Sequence, residues 1–167
     1  MPFPHGHALI IGVGTYQHEP RLNVPATTAD AQAVAEVLRD PRCCGYPAEQ
    51  VTLLTDGQAT RAAILAALDH LPYTSKTDTL LLFSSGHGHY SSDGTYHLTT
   101  HDTRLAGGKV VVGTAISQAE LLERLRATPA ERVLLLFNAC RERQVAFVGP
   151  GPLMLFAQAL TDGLRLR

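Results

Sequence analysis

The sequence predicts a three-layer α/β fold in which a mostly parallel sheet lies between helices. Its strand candidates are short, nearly continuous apolar runs, the pattern of strands buried on both faces. They alternate with segments whose apolar residues recur at helical spacing, giving the order βαβαβ…αβ, which favours parallel pairing with helices on both faces. A chain of 167 residues is about one domain, taken here as residues 1–167, and is long enough to bury a single core.

The first strand is His7-Ala8-Leu9-Ile10-Ile11-Gly12-Val13-Gly14, closed by glycines. Thr27, Thr28 and Asp30 are N-cap candidates for a helix whose inner stripe is Ala31, Val34, Ala35 and Leu38, and Asp40-Pro41 stops it. Cys43 to Pro47 is a turn-rich connector. Val51 to Thr55 is the second strand, punctuated by Asp56-Gly57. Thr60 caps a helix that buries Ala63, Ile64, Ala67, Leu68 and Leu71. The third strand, Asp78 to His87, leads into a polar loop from His89 to Gly94 and a short strand near Tyr96 to Thr99. Thr103 to Gly113 reads as a loop or small hairpin. Ser117 and Glu120 stand in capping-box positions for a third helix, with Leu121, Leu122 and Leu125 inward. The last clear strand is Arg132 to Cys140. Residues 144–167 stay undecided: Gly149 to Pro152 is a hard turn, and Leu153 to Leu160 fits helix or strand.

Composition narrows the function classes. Fourteen basic against fifteen acidic residues, with a net charge of −1 and no basic run, offer nothing to nucleic acid or an anionic membrane. No stretch approaches the ~18 apolar residues of a membrane span. The N-terminus has no basic segment followed by a long apolar one, so the chain is expected to stay in the cytoplasm. Three cysteines, two of them adjacent (Cys43 and Cys44), make a poor disulfide framework and fit a reducing compartment.

Two of the apolar runs end in reactive side chains. Leu80-Leu81-Leu82-Phe83-Ser84-Ser85-Gly86 precedes His87, and Val133-Leu134-Leu135-Leu136-Phe137-Asn138-Ala139 precedes Cys140. Open α/β sheets build their ligand sites at such strand ends. A thiol and an imidazole are the minimum pair for thiolate catalysis, in which the imidazole lowers the thiol pKa and supplies a general acid. Gly86 and Gly88 would leave room for a substrate backbone, and the turn after His87 can aim an N–H at an oxyanion together with that of Cys140. Singly, Cys140 reads as a small buried apolar residue and His87 as a structural histidine; the matched pair of strand ends is what favours chemistry.

On these residues the chain resembles the caspase and metacaspase group (clan CD, peptidase family C14), in its prokaryotic metacaspase or orthocaspase-like form. Ser85-Gly86-His87-Gly88 resembles the group's histidine motif, and Asn138-Ala139-Cys140-Arg141 its cysteine motif, with the histidine roughly 50 residues upstream as in caspases. Ala8 to Tyr16, Ala29-Asp30-Ala31 and Gly94 to Asp102 are similar to other stretches of its large (p20-type) subunit. The resemblance implies a caspase-like cysteine endopeptidase with His87 and Cys140 as the dyad and the N–H groups of Gly88 and Cys140 as oxyanion donors. It further implies a substrate pocket at Asp30, Ser85 and Asn138. One carboxylate remains there, so cleavage after Arg or Lys is expected, with Asn138 accepting through its amide oxygen. A caspase-like preference for Asp would need cationic residues, and Arg21 is the nearest.

Two departures qualify this picture. Arg141-Glu142 follows the cysteine where the family has a small residue and glycine, and the small-subunit strands are missing after it. A small-subunit-like chain, or self-association through an open sheet edge, is therefore expected beside the peptide or protein substrate. The alternative is a non-catalytic caspase-like binding or regulatory module. No cofactor is expected. His87, His89, His97, His101 and Cys140 lack zinc spacing, Asp93 and Asp102 are too few for calcium, and Gly12-Val13-Gly14 lacks the third glycine of a nucleotide fingerprint.

Overall fold

The computed structural model describes residues 3–71 and 74–141, the last three by backbone alone; the undecided 144–167 segment and Glu142 lie outside the described residues. Strand β1 (Gly6–Gly12), helix α1 (Ala26–Arg39), β2 (Val51–Thr55), α2 (Arg61–Asp69) and β3 (Thr79–Tyr90) alternate as predicted. They are followed by β4 (Tyr96–Leu98), the short β5 (Leu105–Ala106), β6 (Lys109–Val110) and β7 (Ile116–Ser117), then α3 (Gln118–Arg126) and β8 (Arg132–Arg141). The main sheet runs β2-β1-β3-β4-β7, and β8 pairs with the other side of β3. β1 is parallel to β2 and β3, and β8 is parallel to β3. β4 is antiparallel to both β3 and β7, while β5 and β6 form a separate hairpin.

Alternation along the strands splits the core into two halves. Ala8, Ile10, Leu81 and Phe83 pack against Ala31, Val34, Ala35 and Leu38 of α1. Leu9, Ile11, Leu80 and Leu82 face the opposite way, onto Ile64, Leu65 and Leu68 of α2 and Leu121 and Leu125 of α3. The result is a three-layer α/β sandwich. Thr60 caps α2 by accepting from the Ala63 N–H, and Ser117 with Glu120 closes a capping box on α3.

Three local readings change. Helix α1 starts before the predicted caps, with Pro25 at the N-cap and φ −55°, already near helical. Thr27 instead donates to the Val24 carbonyl, and Thr28 donates to Asp56. Strand β3 does not end at His87 but continues to Tyr90, because His89 and Tyr90 pair with His97 and Tyr96 of β4. The polar loop shrinks accordingly. Leu65, absent from the predicted stripe of α2, is buried, whereas Ala63, Ala67 and Leu122 are only half-buried.

Among the described residues β8 has β3 as its one partner, and Val133, Leu134 and Phe137 on it are exposed. No helix of the described residues is long and apolar enough to cross a membrane. The layer assignment predicts a contrast. Phe83→Ala, at a site with no exposed surface, should lower the unfolding free energy by about 3–5 kcal/mol. Leu134→Ala, at a half-exposed site, should lower it by under about 1 kcal/mol. Urea titration of both variants checks this; equal losses would contradict the layering.

Candidate active site

The site forms where β3 changes partner. β1 follows β3 up to the pair Gly12 and Ser85, and Val13 then closes the ladder by donating to the Ser85 carbonyl at 2.9 Å. Two residues on, the His87 N–H donates to the Tyr16 hydroxyl at 3.1 Å. The His87 carbonyl accepts from the Thr99 N–H at 3.1 Å and from its hydroxyl at 2.8 Å. The imidazole Nε2 lies 2.9 Å from the Leu22 carbonyl. A carbonyl only accepts, so Nε2 carries the proton and Nδ1 is the basic nitrogen. Burial pushes the His87 pKa below its ordinary 6.5; the Leu22 bond opposes that shift and the nearby His89 adds to it. The ring is therefore neutral at pH 7.

The cysteine strand lies alongside. The parallel register of β3 and β8 sets Cys140 opposite His87 and Asn138 opposite Ser85, on strands about 4.8 Å apart. His87 thus lies within β3, which continues to Tyr90, and Cys140 lies next to Arg141, where β8 ends among the described residues. The N–H and C=O of His87 turn to the Tyr16 and Thr99 side. By alternation those of Gly88 turn towards β8, where Gly88 is opposite Arg141. For Gly88 and Cys140 to take an oxyanion between them, the ladder has to open at that last pair.

The glycines flanking His87 also face side chains of the protein itself. A Cβ on Gly88 would overlap the Tyr96 hydroxyl, and one on Gly86 would lie 3.3 Å from the Tyr16 hydroxyl and 3.4 Å from Val13. Their missing side chains make room for the protein's own tyrosines.

Asp30, Ser85 and Asn138 come together. Asp30 and Ser85 have no exposed surface. The Asp30 Oδ2 accepts from the Ser85 hydroxyl at 3.0 Å and from the Asn138 amide nitrogen at 3.1 Å, and that nitrogen is also 3.3 Å from the Ser85 Oγ. Asn138 is therefore a donor to the carboxylate through its amide nitrogen, a bond separate from the expected accepting role of its amide oxygen. An amide beside a buried carboxylate turns its N–H inward because the charge-assisted bond is the stronger one. Ser85 precedes His87 by two residues on β3, so the cluster and the imidazole share a face about 7 Å apart. Arg21 pairs with Glu19 at 3.2 Å on the surface.

Among the described residues, no group of three or more His, Cys, Asp or Glu could hold a metal ion. Asp93 accepts from the Ser91 hydroxyl and the Thr95 N–H, which lower its pKa to about 2. Asp102 accepts from the Arg61 N–H and the Thr100 hydroxyl, so the two acids serve separate turns. Sequence reasoning missed Leu22, Tyr16 and Thr99. A backbone carbonyl leaves no mark in a sequence, and the two hydroxyls lie far from His87 along the chain.

The family model for the caspase domain, Peptidase C14, matches residues 5–164. A crystal structure of a protein from Geobacter sulfurreducens superposes with a TM-score of 0.65 at 23% identity, over 85% of this chain and 53% of that one. The likeness shows the fold, and the chain spans about half the length of that relative. No curated protein matches the chain.

The lowered His87 pKa has a signed consequence for stability. Between the folded pKa and 6.5 the unfolded chain binds the proton more readily, so this contribution is complete above pH 6.5 and is lost as the pH falls below it. Unfolding free energies of wild type and His87→Asn from pH 7.5 to 5 should differ by a constant above 6.5, with the wild-type advantage shrinking below it. A difference that is flat or grows on acidification would contradict the buried, neutral imidazole.

Proposed function

The chain belongs to the caspase-domain family, Peptidase C14, and on that footing we propose that it is a cysteine endopeptidase whose dyad is His87 and Cys140. The observation that carries this reading is the β3–β8 register, with His87 opposite Cys140 and the Asp30 cluster two residues back along the same two strands. With Nε2–H engaged by Leu22, Nδ1 accepts the Cys140 proton. The thiolate attacks the scissile carbonyl, and the N–H groups of Gly88 and Cys140 receive the oxyanion. The imidazolium protonates the leaving amine, and water then hydrolyses the thioester.

The buried carboxylate of Asp30 supports a cationic residue before the scissile bond, Arg or Lys. The surface ion pair of Arg21 with Glu19 gives no support to an acidic one. The exposed Val133, Leu134 and Phe137 on β8 support a small-subunit-like chain or a second copy along that edge. The odd count of three cysteines, two of them adjacent, supports a cytoplasmic protein.

A second reading has its own support. Asp30 already holds two internal donors and Gly88 lies within the ladder to Arg141, the arrangement of a closed, non-catalytic binding or regulatory module. Fluorogenic peptides ending in Arg, Lys, Asp or Asn separate the two. The peptidase reading expects turnover of the Arg and Lys peptides, reduced at least roughly 1,000-fold in Cys140→Ala. Absence of Cys140-dependent turnover of every peptide, with candidate partner chains added, favours the module. Asp30→Asn keeps the volume but removes the charge, and should cut kcat/KM on the Arg peptide by roughly 30-fold or more. Equal turnover would remove Asp30 from the pocket.

A further inference from the structure

A closed circuit of hydrogen bonds surrounds the His87 peptide, and its direction is fixed by chemistry. The His87 N–H can only donate, and it donates to the Tyr16 hydroxyl oxygen at 3.1 Å. The His87 carbonyl can only accept, and it takes the Thr99 hydroxyl proton at 2.8 Å. The Tyr16 and Thr99 oxygens are 3.1 Å apart, and the Thr99 proton is already engaged, so the phenol proton points to Thr99. Each hydroxyl donates once and accepts once. Tyr16 and Thr99 are only 2% and 5% exposed, so water cannot readily replace either bond. Burial raises the Tyr16 pKa, which keeps the phenol protonated for its role as donor.

Tyr16 touches the imidazole as well as its peptide. Its ring lies 5.6 Å from that of His87, tilted by 44°. The segment carrying it is held on several sides. The Gly14 and Thr15 N–H groups donate to Asp56 at 2.9 and 2.8 Å, and the Tyr16 N–H donates to the Asn23 side chain at 2.8 Å. His101 Nδ1 donates to the Thr15 carbonyl at 2.8 Å, and the Gln17 N–H donates to the His101 carbonyl at 2.8 Å. Asp56, at the end of β2, has φ +45°, a conformation non-glycine residues seldom adopt, and its carboxylate also takes the Thr28 hydroxyl. The stretch from Gly14 to Leu22 thus presents a phenol to the His87 peptide and a carbonyl to its Nε2.

We propose that Tyr16 and Thr99 are positioning residues for the His87 imidazole, fixing the histidine's backbone through the hydroxyl circuit so that Nε2 meets Leu22 and Nδ1 remains the basic nitrogen. This inference rests on the peptidase reading for its kinetic consequence but not for its structural one. Neither residue touches substrate; both act through His87. Losing the Tyr16 hydroxyl leaves the His87 N–H without its partner. Losing the Thr99 hydroxyl leaves the His87 carbonyl with the Thr99 N–H alone and the Tyr16 phenol without its acceptor. In either case the strand segment between β1 and β4 shifts in response.

The test compares wild type with Tyr16→Phe, Thr99→Val, Thr99→Ser and, as a remote control, Tyr46→Phe. It reads kcat and KM on whichever peptide the wild type cleaves, and the His87 tautomer by nitrogen-15 NMR. Tyr16→Phe and Thr99→Val should each lower kcat at least tenfold with KM within twofold. Thr99→Ser, which keeps the hydroxyl, should stay within threefold of wild type, as should Tyr46→Phe. The NMR signal should report a single Nε2–H tautomer in wild type and a mixture in Tyr16→Phe. Wild-type kcat together with an unchanged tautomer in Tyr16→Phe would overturn the proposal. So would equal losses in Thr99→Val and Thr99→Ser, because packing rather than the hydroxyl would then be at work. If the wild type cleaves nothing, the peptidase reading is what fails, and the tautomer comparison alone decides the positioning role.

Discussion

Everything at the site follows from one constraint: the buried central strand must keep its backbone hydrogen-bonded after β1 leaves it. β1 ends against Ser85, the pairing of β3 with β4 starts at Gly88 opposite Leu98, and His87 falls in the gap between them. A strand with both neighbours intact would seal His87 into a ladder. A strand with neither would leave its peptide unpaired. Here Tyr16 and Thr99 bridge the gap with side chains, so the peptide is satisfied while the imidazole reaches Leu22 instead of a core. The same departure of β1 sends the chain through Gly14 to Leu22, which is why one loop supplies both contacts.

The other half of the site is set by β8. Because its register with β3 is unbroken from Thr79 to Gly88, one alignment fixes both Asn138 opposite Ser85 and Cys140 opposite His87. A shift by one residue would turn Asn138 away from Asp30 and move Cys140 off the histidine. The hydrogen bonds of Asp30 to Ser85 and Asn138 therefore also act as a register pin, made of polar groups in an otherwise apolar layer. A buried carboxylate needs such donors to stay buried. Phe83 and Leu81, on the same face of the same strand, show how apolar the surroundings are.

Much of this was legible in the sequence, for physical reasons. Apolar runs as continuous as Leu80 to Phe83 permit little except a strand covered on both faces. Thr60, Ser117 and Glu120 announce helix starts because their side chains are the nearest partners for otherwise unpaired N–H groups. The His87 and Cys140 motifs could be paired because parallel strands of similar pattern align. What escaped was non-local or carried by backbone. The extension of β3 to Tyr90 depends on His89 and Tyr90 pairing with His97 and Tyr96 of β4, a register that the polar stretch from His89 to Gly94 does not reveal. The start of α1 depends on Asp56 taking Thr28 out of capping. The packing of Gly86 against Tyr16 and of Gly88 against Tyr96 needs the folded positions of those tyrosines.

The central claim is that His87 and Cys140 act as a pair. The most direct measurement is the pH dependence of iodoacetamide alkylation, followed site by site at Cys140, Cys43 and Cys44 in wild type and His87→Ala. A working pair predicts that Cys140 reacts fastest, with an inflection below the ordinary thiol value of about 8.5 that returns towards it when His87 is removed. Cys140 reacting no faster than Cys43 or Cys44, with a profile indifferent to His87→Ala, would contradict it.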